Sequence, residues 1–135
     1  MKLTVEVIKL MFWLFMLISV LLIPIIMIIF GSIFKKKAPK DINIAFGYRS
    51  SMSMSSKEAW DFAHAYIGKL WLVFGIVMLL ASVVGMILVI GLDKDTVGYT
   101  GMAITFAQLF FMIIPIIPTE IALKKNFDEN GNRKI

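Results

Sequence analysis

The chain has 135 residues, 59% hydrophobic and 17% charged, where soluble domains run at roughly 45–50% and about 25%. With a mean hydropathy of +0.87, it has more apolar surface than so small a body can hide, which argues against a soluble globular enzyme. The absence of cysteine removes a disulfide scaffold, a thiolate nucleophile and a cysteine metal site. A single histidine, His64, makes no His-rich cluster, and a net charge of +5 on an apolar chain points to a membrane surface and not to nucleic acid.

A short tail, 1–9, precedes 25 residues without formal charge at 10–34; two further uncharged runs follow, 23 residues at 70–92 and 24 at 96–119. Each exceeds the roughly 20 residues that carry a helix across about 30 Å of hydrocarbon. The runs are long and continuous, without period-2 alternation, and a helix satisfies its own backbone in lipid. The first run is too long for a signal-peptide core and is followed by Lys35, Lys36 and Lys37, so it reads as a retained span. The predicted fold class is an all-α membrane protein: three transmembrane helices with a cytoplasmic amphipathic helix leading into the second span.

Lysine and arginine set the expected direction. The tail 1–9 and the second loop carry three, Lys2, Lys9 and Lys94. The loop 35–69 carries seven and the tail 120–135 four, eleven in all. The positive-inside rule makes the eleven-charge side cytoplasmic in a cell membrane, with the N-terminus outside and the C-terminus inside. Residues 93–95, Asp93, Lys94 and Asp95, read as a tight external turn that makes spans two and three an antiparallel hairpin.

The loop 35–69 is longer than two spans need, and long loops are often functional. Lys35, Lys36, Lys37 and Lys40 suit anionic headgroups at the membrane exit. Ile42, Ile44 and Phe46 alternate, as in an extended segment with one apolar face. Gly47 offers a turn, Tyr48 suits the aromatic belt, and Arg49 is a planar fork able to reach phosphates. Ser55 and Glu58 have capping-box spacing, so a helix should begin near Ser56. Trp60, His64, Ile67 and Trp71 then recur at helical spacing on one face, and Asp61 lies within reach of His64 as a relay or as a plain surface hydrogen bond.

Gly47, Tyr48, Arg49 and Ser50, a Ser/Met-rich stretch with Ser53, then Trp60, Asp61, Ala63 and His64, and finally Gly68 and Lys69 resemble the signature of the SdpI/YfhL family. Ser50 stands where threonine is common and His64 where asparagine is common. The resemblance covers about residues 10–120, and the chain reads as the compact three-span module. It implies immunity to a secreted antimicrobial peptide. In the family's best-known system the membrane protein also holds a transcriptional repressor at the membrane. The partners it implies are the bilayer, a toxin peptide or a cytoplasmic regulator, with a second copy left open. Tyr48, Arg49 and Trp60 are the expected partner anchors, being side chains that often dominate interfaces.

Within the spans, Ser19, Ser82 and Gln108 lie at similar depth. Pro24 and Pro115 free the carbonyls of Val20 and Phe111. A lone amide in hydrocarbon needs a partner, so Gln108 is expected to bond Ser82 or the Val20 carbonyl. Ala81 with Gly85, and Ala103 with Ala107, permit close helix approach. The spans hold no Asp, Glu, Lys or Arg, which weighs against the alternative of a small transporter or channel component. No catalytic residue, cofactor or metal ligand is assigned.

Overall fold

The computed structural model describes residues 1–134, which form four helices and no β-strand. Helix α1 covers Lys2–Lys36, α2 Lys57–Leu88, α3 Lys94–Ile113 and α4 Ile116–Asn126. α3 and α4 run on as one apolar unit, Lys94–Asn126, so three helical units are long and apolar enough to cross a membrane. At 1.5 Å per residue, α1 and α2 are each about 50 Å long and overrun a hydrocarbon slab of about 30 Å. Phe15, Ile18, Leu80 and Phe106 are all more than 60% exposed on the outside of the bundle. That surface is costly in water and at home in lipid. The chain is a multi-pass membrane protein.

The three prolines in or beside the spans act differently. Pro24 sits inside an unbroken α1. Pro115 ends the run of α3, and α4 restarts after it. Pro118 falls in the first turn of α4, where a missing N–H costs no helical bond. The indole of Trp71 donates to the Met112 carbonyl at 3.2 Å, in the last turn before the break.

α1 and α2 cross with backbone against backbone. A Cβ on Gly31 would lie 2.6 Å from the Leu72 nitrogen and 2.8 Å from the Gly68 oxygen, and one on Gly68 would lie 2.9 Å from the Gly31 oxygen. Toward the other end, Trp13 donates its indole N–H to the Met86 carbonyl at 2.7 Å and packs with Val20, Met86 and Val97.

Several boundaries differ from the sequence expectation. Residues 2–9 are helical and belong to α1. Asp93 is the N-cap of α3, accepting from the Thr96 N–H at 3.1 Å and hydroxyl at 2.7 Å, so Lys94 and Asp95 are already helical and the turn lies at 89–93. The N-cap of α2 is Ser56, whose Oγ accepts from Ala59 N–H at 3.0 Å. With Ser56 as N-cap, Ala59 and not Glu58 holds the N3 position, so no capping box forms, and Glu58 pairs instead with Arg133 at 2.7 Å. The tail that follows α4 folds back: Phe127 is buried with Ala59, Ala63 and Leu123 against the first turns of α2.

Candidate functional site

The loop between α1 and α2 docks through a short run of interlocking contacts. Gly47 has φ +108°, a conformation that favours glycine, and a Cβ there would sit 2.6 Å from His64 Nε2. The next residue, Tyr48, donates its backbone N–H to His64 Nε2 at 2.8 Å. The other ring nitrogen, Nδ1, lies 2.7 Å from the Trp60 carbonyl, one helical turn back. An accepting Nε2 and a donating Nδ1 define a neutral imidazole. Burial pushes the His64 pKa below 6.5, outweighing the Trp60 carbonyl and Asp61, which favour the charged form. His64 precedes the charge-free run of α2, and its ring packs edge-on against Phe34 at 4.9 Å and tilted against Trp60 at 4.3 Å. Trp60 in turn donates its indole N–H to the Pro39 carbonyl at 2.8 Å, tying down the start of the loop.

The serines complete the fold of the loop. Ser53 is fully buried; its Oγ accepts from the Ser50 N–H at 2.8 Å and donates to the Tyr48 carbonyl at 3.0 Å. Ser50 Oγ accepts in return from the Ser53 N–H at 3.1 Å. Arg49 is exposed, and its guanidinium donates to the Ile44 carbonyl. The expected extended face of Ile42, Ile44 and Phe46 does not form. Asn43 Oδ1 captures the N–H groups of Ala45 at 2.9 Å and Phe46 at 2.6 Å, which bends the segment and leaves Ile44 81% exposed.

Tyr48 also joins the loop to the far end of the chain. Its hydroxyl donates to Glu120 Oε1, in α4, at 2.5 Å. Burial, then the Glu120 carboxylate, raise the Tyr48 pKa well above the usual phenol range, so the hydroxyl stays a donor.

Between this loop, α1, α2 and α4 lies a cavity of about 570 Å³. Ile26, Phe30, Phe34, Ile67, Trp71 and Ile116 form its apolar part, and Phe46, Gly47, Tyr48, Arg49, Ser50 and Glu120 its loop-side rim. The volume and the mix of apolar walls with a few polar groups are those of a small-molecule site. A second cavity, of about 430 Å³, lies beside it against Lys35, Lys36, Lys37, Lys40 and Lys57.

Gly47, Tyr48, Ser50, Ser53, Trp60 and His64 are therefore one cluster. Asp61 is outside it: it pairs with Lys57 at 2.5 Å, on the exposed flank of α2, while the His64 ring turns inward. Lys69 is exposed and does not join it. Trp60 is fully buried and so is not free to anchor a soluble partner. Glu120 and Asn43 complete the site and escaped the sequence reading as site residues. Glu120 was visible in the sequence as the carboxylate directly after the third span, though not as a site residue, and Asn43 could have been flagged by its side chain's affinity for turns.

In the spans, Gln108 is 2% exposed and its Nε2 donates to both the Val20 carbonyl and Ser82 Oγ, each at 2.7 Å. The carbonyl that Pro24 releases is thus satisfied from α3. Ser19 stays apart, donating to its own helix at Phe15. On the α2–α3 face Gly85 lies against Ile104. No group of three or more metal-binding side chains occurs among the described residues.

Residues 40–119, more than half of the chain, match the profile of the SdpI/YfhL protein family. The chain belongs to this family. The matched region takes in the whole loop cluster and ends one residue before Glu120. The uncharacterized protein YfhL of Bacillus subtilis (strain 168) is 40% identical over 53 residues, which are 39% of this chain and 48% of that protein. The match therefore spans about half of that relative's length. No solved structure matches the chain.

Proposed function

We propose that this SdpI/YfhL-family protein is a membrane immunity or regulatory protein. It protects the cell against a secreted antimicrobial peptide and carries out no catalytic step. The N-terminus lies outside; the loop 35–69, with the first turns of α2, and the tail 120–135 lie in the cytoplasm. The observation that supports the reading is the loop cluster: the residues of the family signature are locked together by Tyr48, His64 and Ser53, which orders the loop and leaves Arg49 exposed on it. The eleven-to-three bias in Lys and Arg supports its placement inside. The spans meet the toxin in the bilayer, where an amphipathic peptide would insert. Arg49, exposed on the loop, holds its fold or engages a cytoplasmic regulator.

The test is expression in a sensitive host challenged with secreted antimicrobial peptides. Survival of wild-type cells is expected. Arg49→Ala is expected to lower protein level or protection, and a variant with full level and full protection would remove Arg49 from the site. Solute flux through liposomes carrying the pure protein would favour a transporter or channel component instead.

A further inference from the structure

We infer that the 570 Å³ cavity holds a phospholipid with a zwitterionic head, its phosphate on Arg49 and its ammonium on Glu120. The inference rests on the spans and the cavity, and not on an immunity role. Three observations converge. The first is depth. Ile26 and Phe30 belong to the charge-free run 10–34, whereas Glu120 immediately follows the run 96–119. The cavity thus straddles the level where hydrocarbon gives way to headgroups, with its apolar part on the hydrocarbon side. The second is shape: the volume suits the glycerol-phosphate region and the first part of the acyl chains, and the lining is mostly aromatic and aliphatic.

The third observation is charge. A guanidinium and a carboxylate line one cavity, yet neither belongs to an ion pair among the described residues. Arg49 donates to the Ile44 carbonyl and keeps further N–H donors of its five. Glu120 accepts the Tyr48 hydroxyl on Oε1, and its second oxygen makes no hydrogen bond among the described residues. A purely anionic head would meet Arg49 but be repelled by Glu120. A neutral glyceride would answer neither charge. A head with a phosphodiester and a primary ammonium answers both, so phosphatidylethanolamine is the matching class.

The full-length protein is reconstituted in bilayers of equal phosphatidylethanolamine and phosphatidylglycerol, extracted, and read by native mass spectrometry for retained lipid. Phosphatidylethanolamine is expected to be enriched about tenfold, as one charge-assisted hydrogen bond would give. Glu120→Gln keeps an acceptor for Tyr48 and is expected to abolish that preference while lipid is still retained. Arg49→Ala is expected to lose retained lipid of both kinds. If that variant melts below the wild type, Arg49→Lys is read instead and is expected to weaken retention. Soluble phosphoethanolamine at the same concentration is expected not to displace the lipid. Equal retention of the two lipids by the wild type, an unchanged preference in Glu120→Gln, or displacement by the soluble head would overturn the inference.

Discussion

His64 uses both ring nitrogens, accepting from the Tyr48 N–H and donating to the Trp60 carbonyl, so a second proton has nowhere to go without undocking the loop. The charges that act on it are those of Asp61 and Lys57 on α2, already paired with each other, and the Tyr48 phenol that faces it from the loop stays neutral. The folded-state pKa is lowered below 6.5, so the unfolded chain takes up the proton first. Stability is therefore complete above that value and falls as pH drops toward the folded pKa. Melting of the purified protein, followed by tryptophan fluorescence, should move down between pH 7.5 and pH 5.5. His64→Asn, whose amide can also accept and donate, should stay folded and flatten this dependence. His64→Ala leaves the buried Tyr48 N–H unpaired, while the Trp60 carbonyl keeps its helical bond, and should cost about 1–3 kcal/mol at neutral pH. A wild-type melting point that ignores pH over this range would contradict the assigned protonation.

The elements depend on close approach and on one buried amide. Gly68→Val would drive a side chain into the Gly31 carbonyl and should separate α1 from α2, with loss of the folded protein from detergent extracts or a strongly lowered melting point. Gln108→Leu strands the Val20 carbonyl and Ser82 in the bundle and should destabilise it by roughly 0.6–2 kcal/mol; a more stable variant would show that the amide is not structural glue. The spans were legible because charge-free runs of more than 20 residues have one cheap conformation in lipid. The partners of Gln108 were legible too, since Pro24 names the carbonyl it frees and depth brings Ser82 alongside. Whether a proline breaks its helix was not. Pro24 is carried by a neighbour's amide, whereas Pro115 has Pro118 three residues on and the helix restarts between them. Alternation at Ile42, Ile44 and Phe46 misled because one side chain, Asn43, outbids a strand ladder for two N–H groups. The Tyr48–Glu120 bond joins positions 72 apart, and no local pattern announces such a pair.

At the scale of the whole molecule the loop and the tail share one end of the bundle. Tyr48 reaches Glu120, Glu58 meets Arg133 at 2.7 Å, and Phe127 is buried against Ala59 and Ala63. Three spans require such a shared end whichever way the bundle is inserted, so the contacts fix relative placement and leave the absolute direction to charge. The eleven basic residues at that end should hold it inside, because moving them across the membrane opposes the bias that sets insertion. The chain contains no cysteine, so a single introduced thiol reports without background. Ser51 is exposed on the loop and Asp95 is exposed at the opposite end, in the first turn of α3. With a membrane-impermeant maleimide on intact cells, Asp95→Cys should label at once, while Ser51→Cys should label only after lysis. The reverse pattern would put the docked loop, Arg49 and Glu120 outside, where no cytoplasmic regulator could reach them and a secreted peptide could.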